Sequence, residues 1–193
     1  KCNVIRLKFS DIELNFSEKK NFFFNKNIQK LDAVWVRFLN GQSLEEITTK
    51  LTYLHLLDEL NIYVHNSALA IEKTVDKVRT SGLLKINRIL SPDTNIWIGK
   101  KKKHIVKKDS LLKPIFGSQG KGIILVRKNT NLSEIKSLGN VFYLQNFIGK
   151  IKDQKFSDLR ILVSNHKVIA SMQRESKSFL TNVYQGASYH RII

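Results

Sequence analysis

A glycine-rich segment between two short apolar runs has a composition that suits phosphate binding. Its residues are Gly117-Ser118-Gln119-Gly120-Lys121-Gly122, and Lys113 lies four positions before the first glycine. Glycine lets the backbone approach an anion closely, and it adopts the positive φ angles that turn several N–H groups inward. A mobile hairpin turn has a similar composition, so these six residues alone leave a phosphate-binding loop and a plain turn equally open.

The spacing of the glycines excludes two common phosphate-binding motifs. A P-loop requires GxxxxGK followed by Ser or Thr, but Gly122 follows Gly120-Lys121, and Ile115 stands where the first glycine belongs. A dinucleotide-binding fingerprint requires GxGxxG at the start of a helix. Here the three glycines, beginning at Gly117, have the reverse spacing and precede a strand-like run. We therefore expect a flap between two antiparallel strands.

The sequence predicts mainly antiparallel strands with few helices from about Asn95 onwards, which indicates a distinct second subdomain. Short apolar runs flank the glycine-rich segment and recur after it. The predicted strands are Leu111–Lys113, Ile123–Val126, Val141–Phe147, and a hairpin formed by Asp158–Val163 and Lys167–Gln173 around Asn165-His166.

Side chains alternate between the two faces of this predicted hairpin. Arg160 lies about five residues before the turn and Arg174 about eight after it, so the two arginines are not expected to oppose each other. The alternation assigns Asp158, Arg160 and Leu162 to one face, and Ile161 and Val163 to the other face, which we expect to be core.

The first half of the chain alternates strand-like and helix-like patterns, which is typical of an open parallel α/β sheet. Ala33–Leu39 is almost continuously apolar, and this predicts a strand covered on both faces. Ser43 and Glu46 have the spacing of a capping box, before apolar residues at helical spacing as far as Leu57. Further predicted elements are strands at Val4–Phe9, Ile12–Phe16 and Asn61–His65, and a helix over Ala68–Ile86 that Pro92 helps to end.

Composition and charge limit the class of protein. Apolar residues make up 42% of the 193 residues, enough for a sizeable core, and no run of about 18 apolar residues could span a membrane. The single cysteine, Cys2, excludes a disulfide framework and suits a reducing cytoplasm, where we expect the protein. The net charge of +17 is spread over nearly every segment, with one dense run at Lys100–Lys103. This distribution is best explained by a lysine-rich surface exposed to solvent. The second interpretation is an electrostatic field that attracts anionic ligands, and DNA binding is the least favoured.

Several segments, in order along the chain, resemble ATP-grasp enzymes and RimK-like glutamate ligases in particular. Residues 112–123 resemble the small glycine-rich loop of that family, and 41–45 resemble a branch linked to tetrahydromethanopterin glutamylation. The resemblance runs from about Ala33 to Ser188. The remaining matching segments are Ala70-Ile71-Glu72, Asp76-Lys77 with Thr80, Tyr143–Ile148, Ser157–Arg160, Ala170–Arg174 and Thr181–Gly186.

The resemblance implies an α/β ATP-grasp fold with two parts. A partial Rossmann-like pre-ATP-grasp domain would occupy residues 1–94, and antiparallel α+β nucleotide-binding subdomains would occupy residues 95–193. Because the chain starts with Lys1 rather than Met, we expect a fragment that is incomplete at both ends. The family's two Mg²⁺ ions are held on late strands, so their ligands are expected beyond Ile193, and none is assigned within this chain.

The resemblance also implies roles for individual residues. Arg160 and Arg174 are assigned to catalysis, because a guanidinium recognises phosphate or carboxylate through two parallel hydrogen bonds. The alternative for both is a structural ion pair, as it is for Asp158, and for Lys77 it is a solvated position in the middle of a helix. The implied nucleotide-binding residues are Lys77, Lys113, Gly117, Ser118, Gln119, Gly120, Lys121, Gly122, Gln145, Asn146, Phe147, Asp158, Thr181 and Asn182, with adenine bound by backbone groups of the Asn146-Phe147 hinge.

The implied activity is that of an ATP-dependent carboxylate–amine ligase. A carboxylate is phosphorylated to an acylphosphate, which the amine of an amino acid, glutamate in the resembling branch, then attacks. The expected partners are ATP, that amino acid and a carboxylate acceptor, without membrane or nucleic acid, and homo-oligomerisation stays open. Alternatives are a glutathione-synthetase-like or lysine-biosynthesis ligase, and a non-catalytic nucleotide- or RNA-binding module.

Overall fold

The computed structural model describes residues 3–16, 22–24, 28, 30–39, 43–99, 105–135, 140–149, 151–152 and 155–192. Residue contacts divide the chain into two compact units, Lys1–Val75 and Asp76–Ile193. The domain boundary expected at 94/95 stays a prediction. Sequence interpretations that involve Cys2, residues 41–42 and Lys100–Lys103 lie outside the described residues.

The first unit contains two small sheets and two helices. Strands β1 (Leu14–Phe16) and β2 (Phe22–Phe24) pair antiparallel, and β3 (Ala33–Trp35) pairs in parallel with β4 (Tyr63–His65). The helices are α1 (Leu44–Glu59) and α2 (Ala68–Val75). The predicted parallel strand pair is therefore confirmed. The core of this unit consists of Ile28, Leu54, Leu57, Ile62, Val64 and Ala68.

The predicted start of α1 is confirmed, whereas two strand predictions before it are wrong in extent. Ser43 Oγ accepts a hydrogen bond from the Glu46 backbone N–H at 3.1 Å. Val4–Phe9 forms no strand, because the chain turns at Phe9–Asp11, where the Asp11 carboxylate accepts from the Lys8 N–H. Only Leu14–Phe16 of the second predicted strand is paired.

The prediction that Ala33–Leu39 is a strand covered on both faces is also wrong. Only its first three residues belong to β3, and Trp35 is 63% exposed. Val34 and its neighbour Val64 point to the core of the unit. Trp35 points to the opposite face, where Arg37 lies over the indole ring, 4.6 Å from its centroid.

The helix predicted over Ala68–Ile86 is interrupted at Asp76, which starts a new helix, α3 (Lys77–Ile86). Asp76 Oδ1 accepts hydrogen bonds from the N–H groups of Val78 at 2.7 Å and Arg79 at 3.2 Å. This N-cap satisfies backbone donors that have no partner within the helix. The helix ends before Arg88, whose φ of 58° is left-handed, so Pro92 is too distant to end it.

The first sheet of the second unit has four antiparallel strands in the order β5-β8-β6-β7. They are β5 (Thr94–Ile98), β6 (Ser110–Lys113), β7 (Ile124–Val126) and β8 (Val141–Asn146). The flap predicted between β6 and β7 is confirmed as an antiparallel connection, with Leu112 opposite Ile124. The buried cluster behind this sheet consists of Val106, Leu112, Val126, Leu132, Phe142 and Leu144.

The second sheet of this unit has the order β12-β11-β10-β9 and is also antiparallel. Its strands are β9 (Ile151–Lys152), β10 (Lys155–Ser164), β11 (Lys167–Ser176) and β12 (Ser188–Arg191). The predicted hairpin between β10 and β11 is confirmed. Asn165 and His166 both have positive φ, at 46° and 61°, which suits the tight turn of a twisted hairpin.

The prediction that one face of the hairpin is core is wrong. Ile161 and Val163 are 53% and 55% exposed, and Leu162 on the opposite face is equally exposed. A register shift between Leu162 and Val163 interrupts the alternation there. The outer half of the hairpin extends past the residues that β9 and β12 pair with, so no strand among the described residues lies beside it.

None of the described helices combines the length and the apolar character that crossing a membrane requires.

Candidate functional site

Lys113 is the last residue of β6 and stands at the base of the glycine-rich flap. Its Nζ donates a hydrogen bond to Oε1 of Gln145 on β8 at 2.6 Å. Burial lowers the pKa of Lys113, because the charged form loses solvation. The hydrogen-bond acceptor is a neutral amide, so this contact leaves the charge of the ammonium group uncompensated.

Lys77 is the first residue of α3, and its side chain reaches the same flap. The interpretation that it lies in the middle of a helix is therefore wrong. Its Nζ donates to the carbonyl oxygens of Ile115 at 3.1 Å and Gly117 at 3.0 Å. Burial lowers the pKa of Lys77, the charge of Lys113 lowers it further, and Asp76 opposes both. Two half-buried ammonium groups thus repel each other, and a bound anion would relieve that repulsion.

The tip of the flap has the backbone conformation that its glycines predict. Gly117, Gly120 and Gly122 have φ angles of 139°, 76° and 72°, and Gln119 between them also has a positive φ. The carbonyl oxygen of Gln119 accepts a hydrogen bond from Gln185 Nε2 at 3.3 Å.

Further contacts pack this tip against the segment from Leu180 to Gln185. A Cβ atom on Gly120 would stand 2.7 Å from Oδ1 of Asn182 and 3.3 Å from the side chain of Leu180. Lys121 Nζ lies 5.5 Å from the centre of the Tyr184 ring. A side chain at position 120 would therefore displace the Asn182 side chain and also strain the turn.

Asp158 on β10 is held by a polar cluster beside this segment. Arg174 lies directly opposite on β11, and its Nε and Nη2 donate to the two carboxylate oxygens, the first at 2.7 Å. Buried Thr181 donates to Oδ2 at 2.8 Å. Burial by itself would raise the pKa of Asp158, but the bonds from Arg174 and Thr181, with the charges of Arg174 and Arg160, hold it below its ordinary value. The ion pair correspondingly raises the pKa of Arg174.

Arg160 differs from Arg174 in having no hydrogen-bond partner among the described residues. It lies opposite Met172, so the prediction that the two arginines do not oppose each other is confirmed. Its side chain is exposed, two residues from Asp158 on the same face of β10. Arg174 therefore forms an ion pair within the protein, whereas Arg160 is accessible to an anion.

The predicted hinge at the end of β8 is partly occupied by hydrogen bonds within the protein. The N–H groups of Asn146 and Phe147 donate to the carbonyl oxygens of Asp93 and Asp109, both at 2.8 Å. The N–H of Ile148 has no partner among the residues that the structure describes. The Phe147 ring lies against Phe156, with centroids 5.9 Å apart.

Sequence reasoning missed three residues of the hydrogen-bond network that includes Gln145. Its Nε2 donates to Thr94 Oγ1 and to the Tyr143 hydroxyl, both at 3.0 Å, and that hydroxyl lies 2.6 Å from Ser81 Oγ on α3. The available signal was the alternation in β8, where Tyr143 and Gln145 place polar groups on one face of an apolar strand.

Two antiparallel sheets, a glycine-rich flap and two half-buried lysines at its base define a nucleotide-binding fold of the ATP-grasp class. The model of the RimK-like ATP-grasp domain matches residues 74–192, so the chain belongs to this family. The fold class predicted from the sequence is thereby confirmed.

Curated relatives of this chain are named glutamate ligases. It is 29% identical over 189 residues to the tetrahydromethanopterin:alpha-L-glutamate ligase of Methanococcus maripaludis, covering 93% of this chain and 61% of that protein. It is 29% identical over 183 residues to the protein of that name from Methanocaldococcus jannaschii, covering 85% and 58%. The chain therefore spans about three fifths of the length of these relatives. Among solved structures, the ADP complex of N5-carboxyaminoimidazole ribonucleotide synthetase aligns with a TM-score of 0.45 and 11% identity, over 84% of this chain and 53% of that one.

We predict that Gly120→Ala detaches the flap from its seat more than Gly122→Ala does. Both changes force alanine into a positive φ, but only position 120 meets the Asn182 side chain, whereas position 122 has ordinary contacts with Pro114. The trypsin cleavage rate after Lys121 should rise about tenfold more in Gly120→Ala, equivalent to about 1.4 kcal/mol of added steric cost. Adding Asn182→Ala should remove most of this difference, because only the contact with Leu180 then remains. Equal cleavage rates in the two single variants would contradict the contact.

We also predict that Arg174→Lys destabilises the second unit, whereas Arg160→Lys does not. Lysine keeps the charge but cannot make both hydrogen bonds to Asp158. The expected loss in the free energy of unfolding is about 1 kcal/mol for Arg174→Lys, because Asp158 is partly solvated, and less than about 0.5 kcal/mol for Arg160→Lys. Urea denaturation of both variants measures this loss in the free energy of unfolding. A larger loss in Arg160→Lys would show that this exposed arginine is structural.

Proposed function

We propose that this chain forms the nucleotide-binding part of an ATP-dependent carboxylate–amine ligase, which adds glutamate to an acceptor carboxylate. The observation that carries the proposal is the pair of half-buried ammonium groups, Lys77 and Lys113, at the base of a glycine-rich flap. Membership of the RimK-like family and the names of the curated relatives support the activity and the amino acid.

Binding of the ATP phosphates is the role that we assign to the two lysines and the flap. The ammonium groups repel each other in the free chain, and neutral oxygens are their hydrogen-bond acceptors. A polyphosphate supplies the missing negative charge, and the flap offers backbone N–H groups in positive-φ conformations. The adenine ring is assigned to the hinge after β8, where the Ile148 N–H is a donor without a partner among the described residues.

Arg160 is the group that we assign to the reacting carboxylate or acylphosphate. When bound, ATP would supply the phosphoryl group that activates the carboxylate. The exposed guanidinium can form two parallel hydrogen bonds with an oxyanion and stabilise its charge. Arg174 orients Asp158 through their ion pair, and Thr181 adds a third bond, so this cluster keeps a carboxylate ionised beside Arg160. Nucleophilic side chains are not needed, because the substrate amine is the nucleophile.

No ready-made cage for magnesium is present among the residues that the structure describes. They contain no group of three or more His, Cys, Asp or Glu side chains able to hold a metal ion. Asp158 is already bonded to Arg174 and Thr181. We therefore assign no metal ligand in this chain and no role in the reaction to a metal held by it.

The test of the proposal is the binding of ATP to Lys113→Ala. Removing the cation fixed by β6 should weaken ATP binding at least 100-fold, since an opposite charge pair at 4 Å contributes about 4 kcal/mol at an effective dielectric of ~20. Calorimetry measures the affinity, and circular dichroism checks the fold. Lys107→Ala, which removes an exposed lysine from the same unit, should bind ATP as the unchanged chain does. An affinity unchanged in Lys113→Ala would exclude this role.

We further predict that ATP affinity falls with rising pH before an ordinary lysine would lose its charge. The pKa values of Lys77 and Lys113 are lowered, chiefly by burial, so both ammonium groups deprotonate below the usual lysine range. The stability of the free chain changes in the opposite direction. Its free energy of unfolding increases with rising pH as these groups lose their charge, because folding lowers their pKa values. Titrations between pH 7 and 10 in two buffers of different ionisation enthalpy should show proton uptake on binding. Affinity that is constant to pH 10 would contradict the prediction.

A further inference from the structure

The side-chain amide of Gln145 has every hydrogen-bonding group engaged. Its Oε1 accepts from Lys113 Nζ at 2.6 Å, and its Nε2 donates to Thr94 Oγ1 and to the Tyr143 hydroxyl, both at 3.0 Å. An amide has two N–H donors, so both are used. These partners lie on three strands, β5, β6 and β8, which fixes the amide in the middle of the sheet.

Donor and acceptor chemistry sets the direction of this network. A lysine ammonium can only donate, so the amide oxygen must face Lys113 and the amide nitrogen must face the two hydroxyls. The Thr94 hydroxyl accepts from Gln145 and donates to the Pro92 carbonyl at 3.0 Å. The Tyr143 hydroxyl likewise accepts from Gln145, which leaves its own hydrogen for Ser81 at 2.6 Å. If the amide turned over, N–H groups would face the ammonium.

We propose that Gln145, oriented by Thr94 and Tyr143, is a positioning residue that holds the Lys113 ammonium in place for an anion without neutralising its charge. The proposal rests on the assignment of Lys113 to the ATP phosphates. Glutamine and glutamate have nearly the same shape, but only the neutral amide fixes the ammonium and leaves its full charge for a ligand. The lowered pKa of Lys113 agrees with this arrangement.

Tyr143 extends the network from Lys113 to Lys77. The tyrosine is buried, with 3% of its surface exposed, and its hydroxyl contacts Ser81. Ser81 lies about one helical turn after Lys77, the first residue of α3. A single polar chain therefore connects the strand that carries one lysine to the helix that carries the other.

The first test is Gln145→Glu in the full chain, with the ionisation of Lys113 followed by ¹³C NMR of labelled lysine in the absence of ligand. The carboxylate should pair with Lys113 and raise its pKa above that of the unchanged chain. Affinity for ATP should fall about tenfold or more, because the lysine charge is neutralised before the ligand binds. Asn95→Asp, an exposed change of the same charge on β5, should alter neither quantity more than about twofold.

The second variant, Tyr143→Phe, keeps the ring and removes one acceptor of the Gln145 amide. We expect a changed Lys113 signal and a loss of ATP affinity of about threefold to tenfold, since the neutral hydrogen bonds of the hydroxyl with Gln145 and Ser81 are both removed. A Lys113 pKa and an ATP affinity unchanged in both variants would overturn the positioning role. Absence of ATP binding by the unchanged chain, with the Lys113 pKa still raised in Gln145→Glu, would instead overturn the proposed function and leave the network intact.

Discussion

The burial of two ammonium groups beside neutral oxygens is the interaction on which the arrangement of the second unit depends. Lys77 and Lys113 donate to two carbonyl oxygens and one amide oxygen, and each lies partly out of water. Burying a charge next to a like charge costs free energy, so the surrounding contacts must be firm. They include the Asp76 cap that starts α3 and the hydroxyl pair Ser81–Tyr143. The fold therefore keeps two half-buried positive charges whose hydrogen-bond acceptors are neutral, and the proposed ATP site rests on this feature.

The flap is held at both its base and its tip. Its base is fixed by Lys77, and its tip rests on the segment that follows β11, where Gly120 meets Asn182 and Gln185 donates to Gln119. The same segment contributes Thr181 to the Asp158 cluster. The tip of the flap and the Asp158–Arg174 pair thus contact the same short segment, residues 180–185.

The two arginines show why a residue type does not determine a role. Arg174 and Arg160 have the same chemistry and lie in adjacent strands of one hairpin. The register places Arg174 opposite Asp158 and Arg160 opposite Met172. Arg174 is 12% exposed at its side chain and fully engaged, whereas Arg160 is exposed. The difference follows from the register, because Asp158 lies directly across the ladder from Arg174 but two residues along the same strand from Arg160.

Local patterns determined the hairpins, the flap and the cap of α1, because each depends on residues close in sequence: glycines at 117, 120 and 122, Asn165-His166, and Ser43 with Glu46. The same patterns misjudged the ends of elements and the burial of Trp35 and Ile161, since burial depends on which distant segment packs against a face. Lys113 and the flap could be chosen from the sequence, whereas the partners of Gln145 could not. Thr94, Lys113, Tyr143 and Gln145 lie on three strands, and only the pairing of β5 and β6 with β8 brings their side chains together. The sequence thus determined which groups carry charge, and the tertiary structure decided which neutral oxygens hold them.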